Sequence, residues 1–152
     1  MKEDRTITVN RKAYHDYIIT DSIEAGMVLT GTEIKSIRLG RVNIRDAYAR
    51  PENGELWLLN AHIAQYKEGN RYNHHPTRPR KLLLHKREIR GLIADVAKKG
   101  LTLVPVKMYL KNGRAKVEIG VAKGKKIHDK RRAIGQRETD REMDHAMKSR
   151  NQ

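Results

Sequence analysis

The sequence contains no cysteine, which excludes disulfides, iron–sulfur ligation and thiol chemistry and leaves the redox compartment unmarked. Phenylalanine is absent too, and no strand carries an RNP-like set of aromatics, which disfavours an RNA-recognition motif. No two glycines stand three residues apart, so the dinucleotide-binding fingerprint and the GxxG loop of a KH domain are both missing. Gly26 and Gly31 have P-loop spacing, but Thr32 follows where lysine is needed, so nucleotide hydrolysis has no visible site. No apolar run approaches a membrane span, and Met1-Lys2-Glu3-Asp4-Arg5 leads into no signal-peptide core. The expected compartment is the cytoplasm.

What the chain has in excess is positive charge. Over 152 residues, 33 Lys and Arg stand against 18 Asp and Glu, a net +15 with a pI near 10.2. Such a surface suits phosphate, because each cation that neutralises one releases a condensed counterion. A soluble protein with a merely basic surface is the plainer alternative. The seven histidines include no His-Glu-x-x-His pattern and have no Cys-rich frame, so no metal or other cofactor is assigned. Glu33 and Asp46 are the carboxylates to consider for a nuclease metal, although scattered acids are ordinarily solvated.

The length suits one domain and a tail. The alternating strand Lys116-Val117-Glu118-Ile119-Gly120-Val121 runs into Ala122-Lys123-Gly124-Lys125-Lys126-Ile127-His128-Asp129-Lys130-Arg131-Arg132, where the alternation stops. A body over residues 1–122 is therefore expected, followed by a tail over 123–152. The tail has ten Lys or Arg against five Asp or Glu and few apolar residues, a composition expected to be disordered in isolation.

Along the body, residues 1–9 are polar and read as a frayed start. Tyr17-Ile18-Ile19-Thr20 is a short β-prone run. Tyr14, His15 and Arg11 just before it suit either base stacking and phosphate contact or plain packing. Asp21-Ser22-Ile23-Glu24 has the form of a capping box with Gly26 as a stop, which predicts a helix of one or two turns. A strand is expected near Met27–Gly31, then a second short helix, Glu33–Leu39, capped by Thr32 and closed by Gly40. A hairpin is predicted around Pro51-Glu52-Asn53-Gly54, with Leu56-Trp57-Leu58-Leu59 as a central strand and Trp57 in the core. Residues 65–80 form a long polar connection, suited to either RNA contact or solvation. Ile89, Leu92, Ile93 and Val96 mark the clearest helix, His85–Lys99, stopped by Gly100. Leu101–Leu110 and Ala115–Val121 make a hairpin around Asn112-Gly113, with Pro105 placing an edge or a bulge in its first strand. These elements predict a mainly β fold: a small OB-like barrel of about six strands, with one long and two short helices.

Six ordered blocks carry a family likeness: Asn10-Arg11-Lys12-Ala13, His15-Asp16-Tyr17, Glu24-Ala25-Gly26, Gly31-Thr32-Glu33-Ile34-Lys35-Ser36-Ile37-Arg38, Arg80-Lys81-Leu82-Leu83-Leu84, and Gly120-Val121-Ala122-Lys123-Gly124-Lys125-Lys126 with His128-Asp129-Lys130-Arg131. Together they resemble the SsrA-binding protein family, SmpB, over nearly the whole length. The resemblance implies an OB-fold body that binds the tRNA-like domain of transfer-messenger RNA, and a tail that enters a stalled ribosome. It places RNA binding on Asn10, Arg11, Tyr17, Glu24, Tyr48, Leu83 and Lys116, with Val121 and Ala122 at the exit of the body. It places ribosome contacts at the decoding centre and messenger channel on His15, Gly124, His128, Asp129, Lys130 and Arg131.

In that family reading, elongation factor Tu and alanyl-tRNA synthetase are indirect partners through the RNA, and no residue is catalytic. The commoner family pattern has a Lys and an acidic residue where Gly135 and Gln136 stand here. Gly135 costs a tail helix about 1 kcal/mol relative to Ala, and Asp144 with Lys148 at i, i+4 offsets a little. The rival reading is a general structural RNA-binding or ribosomal protein, which the charge and the barrel pattern would also allow.

Overall fold

Two Asn-Gly turns organise the chain. Asn53 and Gly54 have φ of 54° and 78°, and Asn112 and Gly113 have 53° and 78°, the left-handed pair that a two-residue hairpin loop needs. The computed structural model describes residues 4–124. In order they form β1 (Arg5–Val9), α1 (Arg11–Asp16), β2 (Tyr17–Met27), α2 (Gly31–Arg38), β3 (Val42–Asn43), β4 (Tyr48–Glu52), β5 (Glu55–Leu59), β6 (His62–Ile63), a 3-10 turn (Lys67–Tyr72), β7 (Arg80–Leu83), α3 (Lys86–Lys99), β8 (Thr102–Lys111) and β9 (Arg114–Gly124).

The strands pair in the order β8-β4-β5-β7-β2-β9, and β9 pairs back onto β8. Six strands thus close a ring, and the OB-like barrel expected from the strand pattern is the fold that forms. β1 lies on the outside of the β8 edge, opposite Lys107–Leu110, while β3 and β6 make a separate two-stranded piece. Inside the ring the alternation is regular: Leu56 and Leu58, Leu82, Met108, Val117 and Ile119 are all fully buried. Ile37 of α2 and Ile89 and Leu92 of α3 join the same core.

β8 departs from alternation, being buried from Leu103 through Val106. Its register against β9 shifts between Pro105 and Lys107, so of the edge or bulge expected of Pro105 the bulge is what forms. On its outer side Val104 and Val106 meet Ala13 of α1 and Ala122 of β9 in a second, smaller cluster.

Four local expectations are corrected. Residues 5–9 are a strand, and Ile7 packs on the core. Asp21–Glu24 is not helical but the middle of β2, each of its residues paired with β9 within a ladder that runs from Tyr17–Gly124 to Gly26–Lys116 and shifts register once, between Ile19 and Asp21; cross-strand pairing outweighs the local capping signal. The short helix instead lies just upstream, as α1, with Asn10 accepting from the Ala13 amide at 3.1 Å. The cap of α2 is Thr30 rather than Thr32, in a capping box with Glu33. Trp57 points out of the barrel, half-buried between its cross-strand neighbours Arg50 and Lys81.

The long connection before β7 is held by buried polar groups. The Arg78 side chain donates to Glu33 at 2.6 and 2.9 Å, and Arg80 Nε donates to it at 2.8 Å. Arg80 also donates to the carbonyls of Ala61 and Pro76. His74 is buried, with Nε2 on the Ile63 carbonyl at 2.8 Å and Nδ1 on Thr32 Oγ1 at 2.9 Å. Burial pushes the Glu33 carboxyl up, but Arg78, the Thr30 amide and Arg80 outweigh it and hold it below the usual carboxylate range. Among the described residues no helix is long and apolar enough to cross a membrane.

Candidate nucleic-acid interface

Three of the residues implied by the family likeness meet on the outer face of the barrel. Leu83 of β7 is directly opposite Gly26 of β2, Gly26 opposite Lys116 of β9, and Lys116 opposite Tyr109 of β8. One row therefore crosses four strands. Glu24, two residues from Gly26, lies on the same face by strand alternation. Its Oε1 accepts from Tyr109 Oη at 2.6 Å and from Lys111 Nζ at 3.4 Å.

This geometry sets the charge states. The Tyr109 hydroxyl holds the Glu24 carboxyl below its ordinary range against the opposing effect of burial, with Lys111 and Lys116 assisting. Burial and then the Glu24 carboxylate push the Tyr109 phenol far up. Leu83 is 50% exposed, an apolar side chain among charged ones. Tyr109 also carries Lys107 Nζ 5.1 Å above its ring, a cation–π contact. Tyr109 and Gly26 as site members escaped the sequence reading. Tyr109 lies 85 residues from Glu24, and no local pattern points to it.

A second group lies around α1. Asn10, Tyr17 and Tyr48 line one cleft of about 270 Å³, together with Lys12, Arg45 and Asp46. Arg11 and His15 line the neighbouring groove with Arg45 and Asn43. Arg45 was not singled out from the sequence, yet it borders both. Lys12 Nζ donates to Asp46 at 2.9 Å, which raises the lysine and lowers the acid. Asp46 is thus committed to an ion pair and Glu33 to two arginines. Among the described residues, no three His, Asp or Glu side chains lie close enough to share a metal ion.

Asn10 is 3% exposed. Besides capping α1, its amide donates to the Ile44 and Pro105 carbonyls at 3.1 and 2.9 Å. It builds the cleft floor rather than offering free polar atoms. Val121 and Ala122 are likewise buried, Ala122 beside Tyr17 in the small outer cluster.

The two groups share a frame. β2 runs from Tyr17 to Gly26 while β9 runs back from Lys116 to Gly124, a span of about 30 Å at the rise of a strand. Gly124 is paired with Tyr17, the C-cap of α1. The chain therefore leaves the barrel next to the helix that carries His15, whose ring is exposed and bonded to Asp16 at 2.9 Å. His128, Asp129, Lys130 and Arg131 lie outside the described residues.

The chain is similar to known proteins over nearly its whole length. The family model described as SmpB protein matches residues 7–149. An SsrA-binding protein from Carboxydothermus hydrogenoformans is 59% identical, spanning 97% of this chain and 99% of its own. One from Geobacillus kaustophilus is 57% identical and spans 97% of this chain and 96% of its own. A solved chain described as "tmRNA-SmpB: a journey to the center of the bacterial ribosome" is 52% identical, covers 78% of this chain and 83% of that one, and superposes with a TM-score of 0.66. With the match running from β1 to within a few residues of the C-terminus, the chain belongs to the SmpB protein family.

Proposed function

We propose that this protein binds transfer-messenger RNA through its tRNA-like domain and delivers it to stalled ribosomes for trans-translation. Family membership over residues 7–149 carries the reading, because it spans the barrel and the basic tail together. The geometry supports it from the other direction. Glu24, Leu83 and Lys116 converge on one outer face, and Arg11, Tyr17 and Tyr48 gather around α1. Folded RNA is gripped by shape and phosphate, with aromatic and Arg side chains against unstacked bases. Alanyl-tRNA synthetase and elongation factor Tu act on the RNA rather than on this chain. The protein itself makes and breaks no covalent bond, and it works in the cytoplasm.

In the same reading the basic tail takes the place of codon–anticodon pairing. Residues beyond Gly124 enter the messenger channel, where His128 stacks and Lys130 and Arg131 pair with rRNA phosphate. A channel that still holds message leaves no room for them, so stalled ribosomes are selected by exclusion. His15, beside the exit, faces the same partner.

A gel shift of the full chain against the tRNA-like domain and against an ordinary tRNA tests the proposal. Preference for the tRNA-like domain by about tenfold or more, or 1.4 kcal/mol, is expected. Equal affinity, with copurification on ribosomes at fixed stoichiometry, would favour a general structural RNA-binding protein instead.

A further inference from the structure

Glu24 is an odd residue for a face that binds phosphate. A carboxylate repels phosphate within the screening length, about 8 Å at physiological salt, and it can only accept hydrogen bonds. What it recognises on RNA is therefore a donor edge of a base or a hydroxyl.

The surroundings narrow the choice. A Cβ at Gly26 would lie in ordinary contact, 3.5 Å from Leu83 Cβ and 3.6 Å from Lys116 Nζ, so the Lys116 side chain reaches over Gly26 to the flank of Leu83. An interior strand glycine of this kind marks a close approach. Half-exposed Leu83 supplies an apolar surface beside it. Lys107 and Lys111 are engaged with Glu118 and Glu24, whereas Lys116 forms no ion pair among the described residues. Tyr109 and Lys111 both bond Glu24 through Oε1, which holds the carboxylate in place; among the described residues Oε2 takes no hydrogen bond. The lowered Glu24 stays ionised.

We propose that Glu24, Gly26, Leu83 and Lys116 form a seat for one unpaired guanine, and that Tyr109 is the positioning residue that aims the carboxylate into it. The proposal rests on the RNA-binding reading above and adds which base the face selects. Guanine alone presents two adjacent donors, N1–H and the N2 amino group. On the same Watson–Crick edge adenine and cytosine set their amino group beside a ring-nitrogen lone pair, and uracil flanks its N3–H with two carbonyls, so each turns a lone pair toward a carboxylate that meets that edge. Lys116, one step along the row, is placed for O6. The base rests on Leu83, and the carboxylate contacts are charge-assisted, the stronger kind of hydrogen bond. Unstacked bases in RNA loops are commonly read on this edge.

Inosine differs from guanosine only by lacking the N2 amino group, and it supplies the test. The tRNA-like RNA is prepared with inosine at each unpaired guanine in turn, and affinities are measured for the full-length wild type, Glu24→Gln and Tyr109→Phe. At one position inosine should weaken wild-type binding about tenfold, or 1.4 kcal/mol. Glu24→Gln should bind the guanine and inosine forms there alike. Tyr109→Phe should lose most of the discrimination while keeping the wild-type melting temperature and salt dependence, a split that a merely structural tyrosine would not produce. Gly26→Val, which displaces Lys116, should also reduce discrimination. Normal wild-type binding with no position that discriminates would overturn the seat and leave the RNA-binding reading standing, as would full discrimination by Glu24→Gln. Failure of the wild type to bind the unmodified RNA would bring down that reading and the seat with it.

Discussion

Glu33 and Arg80, 47 residues apart in sequence, are both fully buried and joined by a 2.8 Å hydrogen bond. With Arg78 donating to both carboxylate oxygens they tie the first turn of α2 to the strand that ends in Leu83. Removing Arg80 leaves the buried Glu33 carboxylate with only the partly exposed Arg78 as a cation and takes the donor from the Ala61 and Pro76 carbonyls. Arg80→Met should therefore cost about 3–5 kcal/mol, read from urea unfolding; a loss below 1 kcal/mol would contradict this role for the cluster.

The same cluster sets an acid limit. Glu33 has a folded-state pKa depressed below its ordinary 4.5, so its contribution is fully present above about that pH and is lost as pH falls through the folded value. Wild-type stability should decline in that acid range. Glu33→Gln should be less stable at neutral pH and show a flatter decline, which urea midpoints measured from pH 7 down to 3 would reveal.

Asn10 separates a structural role from a contact role. Asn10→Ala removes the α1 cap, worth about 1 kcal/mol, and leaves the Ile44 and Pro105 carbonyls unpaired at roughly 1 kcal/mol or more each. The variant should melt early, and its RNA affinity per folded molecule should fall only as α1 loosens. A large affinity loss with unchanged melting would show that Asn10 touches RNA directly.

Glu24 and Leu83 should behave in the opposite way. Both are exposed on the outer face, where substitutions usually change stability by no more than about 0.5 kcal/mol. Glu24→Ala with Leu83→Ala should weaken binding of the tRNA-like RNA while leaving the thermal melt nearly in place. Unfolding of the double variant would assign these residues to the body's stability instead.

What could be read from the sequence was whatever local pattern decides. Leu56 and Leu58 inside β5, the Asn112-Gly113 hairpin, the Ile89–Val96 stripe of α3 and the Pro105 bulge each have causes within a few residues. The barrel followed from counting such elements. Where partners distant in sequence decide, local reading failed. Asp21–Glu24 carries a genuine capping pattern, but β9 claims every residue of that stretch. Trp57 sits in a run that is apolar on both faces, yet only the face of Leu56 and Leu58 meets the core, and across the strands Trp57 meets Arg50 and Lys81. Of the interface, the blocks around Asn10, Glu24, Leu83 and Lys116 were legible through a family likeness, whereas Tyr109 and Arg45 acquire their places only when the ring closes.

The electrostatic part of binding has its own signature. If about five phosphates are contacted, log K against log salt should slope by about −3.5 to −4.5. Filter binding between 50 and 200 mM salt, a range over which this dependence is commonly read, measures it. A flat plot would contradict a phosphate grip.

The division between barrel and tail is tested most directly by a chain that stops at Gly124, where the last strand ends against Tyr17. The affinity of this shortened protein for the tRNA-like RNA should match the full chain, while tagging of stalled nascent chains in a reconstituted translation system should be abolished. Loss of RNA affinity on truncation, or tagging that survives it, would contradict the account.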